Sequence, residues 1–174
     1  MIAAIPVDVH ADASRHAAAL ALGLSTVRGE SVTYVNCTPR QSWLEERLGL
    51  EVQSGWTDVL SGSASLEDAI IATDVQHLSV LGAGSLLSRY NSDINSAAMR
   101  ELLGQVAEKS KFVIIELPSQ DDVPAIAAVF AAVDGVQAVA RIKKSSRSRV
   151  QLLLEQVEDA GAELSGVWLQ RRRD

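Results

Sequence analysis

The feature that most constrains this chain is a regular exchange between two hydrophobic periods. Short apolar runs rich in β-branched residues alternate with longer runs whose apolar residues recur every three or four positions. Phe112-Val113-Ile114-Ile115 is the most apolar short run, of the kind buried on both faces of a sheet. Strands are read at residues 2–5, ended by Pro6, and at 31–36, 78–81, 112–115, 136–140 and 164–169. Helices are read at 11–27 with Asp8 or Asp12 as N-cap, and at 41–50, closing near Gly49. Further helices are read from Ser65 to about Ala72 behind a capping-box-like start, at 96–109, at 123–133 with Pro124 in the first turn, and at 146–160 before Gly161. Strict alternation implies parallel strands joined by right-handed crossovers, hence an α/β fold, a three-layer αβα sandwich around a mainly parallel central sheet. Ligands of such folds sit beyond the C-terminal strand ends, which points to residues 6–14, 36–40, 82–93, 116–124 and 141–149.

Composition narrows the class. The 174 residues fit a single domain over 1–174, and 47% apolar with 22% charged residues excludes disordered, collagen-like and coiled-coil chains. A net charge of -6 argues against nucleic acid as a partner. Cys37 is the one cysteine, so no intrachain disulfide forms and a reducing compartment is expected. The stretch MIAAIPVDVHADAS has neither a basic start nor a long apolar core, and the longest apolar run, 17–24, is too short to cross a bilayer. The expected location is therefore cytoplasmic.

The sequence contains no G-x-x-x-x-G-K-[ST], no metal-ligand spacing and no recognisable Ser/His/Asp set; His10, His16 and His77 are scattered. His10 with Asp8 and Asp12 reads as a solvated helix start rather than a metal site. Cys37 reads as a half-buried structural thiol rather than a nucleophile. Arg141, Lys143, Lys144, Arg147 and Arg149 form a run of cations with no intervening acid. They are a candidate surface for phosphate, anionic lipid or DNA, against the plainer reading of a solvated helix start. Arg171 to Arg173 read as a solvated tail. Trp43, Trp56 and Trp168 read mostly as core or groove fillers. Trp56, after Gly55 in an expected loop, is the candidate anchor for a protein contact. Arg89 and Tyr90, within Leu86-Leu87-Ser88-Arg89-Tyr90, belong to a candidate recognition loop.

Several ordered segments resemble the bacterial tyrosine kinase (BY-kinase) domain of capsule and exopolysaccharide synthesis, within the ParA/MinD group of P-loop ATPases. Gly55-Trp56-Thr57-Asp58-Val59-Leu60-Ser61-Gly62 followed by Ser65-Leu66-Glu67-Asp68-Ala69-Ile70 is similar to that family's G-L-x-D-V-L-x-G and L-x-D-A-I stretches. Leu78 to Gly84 is similar to L-x-V-L-P-A-G, and Met99-Arg100-Glu101-Leu102-Leu103 before Phe112-Val113-Ile114-Ile115 follows M-x-x-L-L and Y-V-I-I-D. Val133-Asp134-Gly135-Val136 and Gly166-Val167-Trp168-Leu169 complete the order. The resemblance implies a P-loop NTPase-like sandwich.

The segments that touch nucleotide in the family are those that differ. The family's P-G-x-G-K-S falls on Val9, His10, Ala11, Asp12, Ala13 and Ser14, so Ala13 stands in the lysine position and only Ser14 matches. At an effective dielectric near 20, one carboxylate about 5 Å from one phosphate charge costs roughly 3 kcal/mol. Asn36 and Thr38 replace the two carboxylates of the acidic motif on the second strand, where Arg40 is kept. Glu116 stands for the Walker B Asp, one methylene longer, and Gln170 for the adenine-side Asn. A C-terminal tyrosine cluster is replaced by Gln170-Arg171-Arg172-Arg173-Asp174.

The resemblance with these departures implies a catalytically inactive relative with no cofactor, acting as a cytoplasmic interaction and regulatory module in exopolysaccharide or capsule synthesis and export. The implied partners are a membrane co-polymerase (chain-length) protein, which would hold it at the inner face of the membrane, and an active BY-kinase. A homodimer would be nucleotide-independent. Two alternatives stand beside it. One is a divergent ATP-binding tyrosine autokinase or ATPase relying on Ser14, Arg40 and Glu116, with Tyr34 or Tyr90 as phosphate acceptor. The other is a ParA/MinD-like positioning protein binding DNA or membrane through 141–149.

Overall fold

The computed structural model describes residues 1–85, 96–119 and 125–171. Its centre is a seven-stranded sheet in the order β3-β4-β2-β5-β1-β6-β7. The strands are β1 (Ile2–Pro6), β2 (Val32–Asn36), β3 (Ile70–Ala72), β4 (Leu78–Leu81), β5 (Phe112–Glu116), β6 (Gly135–Arg141) and β7 (Leu164–Gln170). All neighbours pair in parallel except β3, which runs antiparallel to β4 at one edge. β1 and β5 lie at the centre, and their apolar runs are buried on both faces. The sandwich expected from the alternation is therefore the observed fold.

The helices are α1 (Ser14–Leu22), widening into a π-helical turn at Gly23–Val27, α2 (Trp43–Leu48), α3 (Trp56–Leu60), α4 (Leu66–Ala69), α5 (Ser96–Lys109), α6 (Ala125–Phe130) and α7 (Arg147–Asp159). The small residues Ala17, Ala18 and Ala21 bring α1 close to the sheet, where they pack with Ala4, Tyr34, Leu44 and Ile114. The opposite layer, α3 to α7, packs Trp56, Leu103, Phe130 and Leu153 against Ile5, Val35 and Ile115.

Four expectations are corrected. Helix α1 begins at Ser14 rather than residue 11. Asp8 and Asp12 are not its N-cap: Asp8 bonds the His10 amide within the preceding turn, Asp12 bonds the amide of Ser14, and the N-cap is Ala13, which makes no side-chain cap. The helix expected to reach Ala72 stops at Ala69, because Ile70 and Ile71 pair with Leu81 and Val80 as an edge strand. Helix α3 stands where a loop around Trp56 is expected. The start of the helix expected over 123–133, with Pro124, lies outside the described residues; its observed part is α6.

Strand β4 is joined to α3 by close backbone contact. Gly55 carries no Cβ because one there would stand 2.2 Å from the Gly82 carbonyl oxygen. Gly84, at φ +92, passes directly over the Asp58 carboxylate, which accepts hydrogen bonds from the amides of Gly55 (2.8 Å) and Ser85 (3.0 Å). Gly55→Ala is expected to lower stability by about 3 kcal/mol, since the obstacle is backbone and cannot rotate away. Urea unfolding of the two proteins checks this.

Candidate functional site

The C-terminal ends of β1, β2, β5 and β7 converge on one polar cluster. Ser14, the first residue of α1, donates through Oγ to Glu116 Oε2 at 3.0 Å and accepts from the Trp43 amide at 2.7 Å. Glu116 closes β5 and is buried, and the Tyr34 hydroxyl from β2 donates to the same oxygen. Burial pushes the Glu116 carboxyl up to about 7; the charges of Glu45 and Asp12 push the same way, while the Tyr34 and Ser14 hydroxyls oppose. Tyr34 is itself buried, and its hydroxyl is held well above the ordinary phenol value by burial and by Glu116. It is not presented to any phosphoryl donor, which corrects its reading as an acceptor. Cys37 is fully rather than half-buried, and burial with the Glu116 charge pushes its thiol far up, so it is no nucleophile.

The turn between β1 and α1 is closed by its own acceptors. The His10 amide donates to Asp8 Oδ1 at 2.9 Å and the Ala11 amide to the Asp8 carbonyl at 3.1 Å. The Ser14 amide donates to Asp12 Oδ1 at 3.0 Å. Gln170 clamps Asp12 from β7: its Oε1 accepts from the Asp12 amide at 3.0 Å and its Nε2 donates to the Asp12 carbonyl. Ala13 points into the apolar layer beneath. A triphosphate needs converging, unpaired amides and a cation. Here four amides have partners, two of them carboxylate oxygens. The residues of this turn do not fit a nucleotide triphosphate in this arrangement.

At the end of β2, Asn36 makes an Asx turn. Its Oδ1 accepts from the Thr38 amide (2.9 Å) and hydroxyl (2.7 Å), and its Nδ2 donates to the Arg40 carbonyl (2.9 Å) and Glu45 Oε2 (2.8 Å). Arg40 is exposed. Glu45 comes from the Ser42–Glu45 capping box of α2, and its Oε1 is buried without a hydrogen-bond partner among the described residues. It lines a hollow of about 380 Å³ together with Asn36, Arg40, Val52 and Gly84. The Ser-Trp-Leu-Glu spacing was the sequence signal for Glu45, and it was missed.

The cluster thus unites Asp12, Ala13, Ser14, Asn36, Thr38, Glu116 and Gln170. Among the described residues no group of three or more His, Cys, Asp or Glu is arranged to hold a metal. Trp56 is corrected as a contact anchor: it is buried in α3, and its Nε1 donates to the Asn36 carbonyl at 3.0 Å. Trp168 is corrected in the other direction. It is half-exposed and packs against His16, with the ring centroids 4.4 Å apart and the planes tilted by 43°. Arg141 lies beside the turn, its Nη1 donating to the His10 carbonyl at 3.3 Å, while Lys143, Lys144 and Arg147 are exposed and Arg149 is partly buried. Arg89, Tyr90, Arg172 and Arg173 lie outside the described residues. No helix among those residues is long and apolar enough to cross a membrane.

A parallel sheet of this order, with Ser14 opening the first helix beside an acid at the end of a central strand, defines an α/β fold of the P-loop NTPase type. Its relatives narrow this. No family model matches the sequence. The tyrosine-protein kinase ptk of Acinetobacter johnsonii is 30% identical over 159 residues, covering 84% of this chain and 20% of that protein. The tyrosine-protein kinase CpsD of Streptococcus agalactiae is 27% identical over 117 residues, covering 67% of this chain and 51% of that protein. The chain thus spans between a fifth and about half of these curated relatives. In fold it is similar to the kinase domain of Escherichia coli tyrosine kinase ETK (TM-score 0.84, 19% identity, 99% of this chain and 68% of that one). It is likewise similar to the septum site-determining protein MinD complexed with Mg-ADP from Pyrococcus horikoshii (TM-score 0.79, 21% identity, 95% and 68%). The chain is a homologue of the bacterial tyrosine kinases, with the fold shared by BY-kinase domains and MinD/ParA-type P-loop proteins. This overturns the expectation of a non-enzyme: the relatives are named as tyrosine-protein kinases, which points to an enzyme.

The raised Glu116 carboxyl has a stability consequence. The folded state holds the proton more tightly than the unfolded chain, whose carboxyl keeps the ordinary value of 4.5. Stability from this group is therefore full below about 4.5, falls as pH rises towards about 7, and is level above. Glu116→Gln keeps an acceptor for Tyr34 and removes the buried charge. Its stabilising effect is expected to be about 2 kcal/mol larger at pH 8 than at pH 5, read from urea unfolding at both.

Proposed function

We propose that this chain is a BY-kinase-like protein of capsule or exopolysaccharide synthesis that acts as a docking and regulatory module. Its partners are the cytoplasmic part of a membrane co-polymerase protein and an active BY-kinase. The observation that carries this is the closed turn: Asp8, Asp12 and Gln170 hold the amides of the phosphate-loop position in a fixed arrangement, while the scaffold around it keeps the kinase fold. A turn fixed by its own side chains keeps one shape whether nucleotide is present or not, so docking through this fold is independent of nucleotide. The first test is titration of the purified chain with a solubilised co-polymerase in the presence of Mg-ATP, Mg-ADP or neither. Equal affinity in all three is the expected result. Absence of a complex, or a complex formed only with nucleotide, overturns the reading.

A second reading, phosphoryl transfer by the chain itself, is favoured by the kinase relatives and by the Ser14–Glu116 contact. It needs Arg40 to supply charge and Tyr90 rather than the buried Tyr34 to accept phosphate. Incubation with γ-labelled ATP distinguishes it: label on Tyr90 that disappears in Arg40→Ala supports transfer, and an unlabelled chain dismisses it.

A further inference from the structure

One rim of the sheet combines exposed apolar side chains with cations. At the ends of β6 and β7, Ile142, Trp168 and Leu169 are exposed, and Val9 at the tip of the neighbouring turn is 73% exposed. Ile142, Leu169 and Val9 lie together at this rim, whereas Trp168, next to Leu169 in β7, points to the opposite face of the sheet, towards His16. The Ile142 amide donates to the Gln170 carbonyl at 3.0 Å, Leu169 pairs with Ala140, and Arg141 reaches the His10 carbonyl. Lys143, Lys144, Arg147 and Arg171 stand exposed around them. Among the described residues, the acids beside this rim are Asp8, which is buried, and Asp12, which sits 3.7 Å from the Arg15 guanidinium. The rim is thus basic in a chain whose net charge is -6.

The turn that carries the lysines is built rather than loose. The amides of Lys144 and Ser145 both donate to the Arg141 carbonyl, at 3.0 and 2.9 Å, and the Arg141 amide donates to Ser145 Oγ at 2.9 Å. This geometry puts Lys143 at φ 63, a left-handed conformation that glycine adopts without strain and a side chain does not. The position therefore holds a charge where the backbone alone favours glycine.

We propose that this rim docks directly on an anionic lipid bilayer. Duplex nucleic acid would match the cations but leaves Leu169, Val9 and Ile142 in water. A bilayer interface takes both sets, with lysines and arginines among the headgroups and the Leu169, Ile142 and Val9 side chains at the acyl boundary. The acidic remainder of the molecule is then turned away from the membrane. This contact does not rest on the function proposed above, because it needs no protein partner.

The test is co-sedimentation of the purified full chain with protein-free vesicles. Binding is expected to phosphatidylglycerol-containing vesicles and not to pure phosphatidylcholine, weakening steeply between about 50 and 200 mM salt. Lys143→Gly is expected to keep or raise the melting temperature while weakening vesicle binding about fivefold. Leu169→Ser is expected to weaken binding while leaving its salt dependence unchanged. The proposal is overturned by no binding to anionic vesicles at low salt, by binding that Lys143→Gly with Lys144→Ser leaves intact, or by binding of duplex DNA in place of vesicles.

Discussion

Every amide at the end of β1 needs an acceptor, and the identity of that acceptor organises the rest of this molecule. In a turn made of glycines the amides stay open and gather an anion. Here the turn carries Asp8 and Asp12, whose side chains reach the amides of His10 and Ser14 before any ligand can. Gln170 then ties the turn to β7, two strands away in the sheet. The helix consequently starts at Ser14, which leaves the Ser14 hydroxyl aimed at Glu116 and able to accept the Trp43 amide. One local competition for backbone donors therefore fixes the helix start, the position of α2 and the partner of the central acid.

Beneath that turn, electrostatics and packing work against each other. A glutamate at the end of a buried central strand loses its hydration, and Glu45 and Asp12 add like charge. Two hydroxyl donors oppose this only in part, so burial prevails and the carboxyl stays raised. Tyr34 makes this contact from a strand buried on both faces, so its ring serves the core while its hydroxyl serves Glu116. The pair is a buried polar contact in a sheet whose strands are mostly apolar, beside Thr33 and Asn36 of β2.

The period of the apolar residues was enough to place the strands of the parallel core, because a strand buried on both faces has no polar side to obscure its signal. Ser96 to Lys109 was read with the bounds it has. What escaped was decided by tertiary contact. Ile70 and Ile71 follow a capped helix and read as its continuation, yet pairing with β4 takes them into the sheet. Trp56 was placed in a loop, but Gly55 lets the backbone approach Gly82 so closely that α3 starts there and the indole is carried into the core. The departures at Asp12, Ala13, Asn36 and Gln170 were visible as letters. That Gln170 clamps the turn was not, because 158 residues separate it from Asp12 and only the sheet brings them together.

The same sheet end therefore shows two unlike chemistries. Towards β2 and β5 it is an interior of acids and hydroxyls sealed by Asn36 and Tyr34. Towards β6 and β7 it is an open rim of cations and apolar side chains. Arg141 stands at the border, its backbone closing the lysine turn and its guanidinium holding the His10 carbonyl of the β1 turn. The left-handed Lys143 marks where that boundary was made at some cost to the backbone, about 1 kcal/mol for a non-glycine residue. A charge kept against such a cost suits the proposed counterpart outside the chain, an anionic bilayer. Among the described residues the acids beside this turn are already engaged, Asp8 buried with the His10 amide and Asp12 with Ser14 and Arg15.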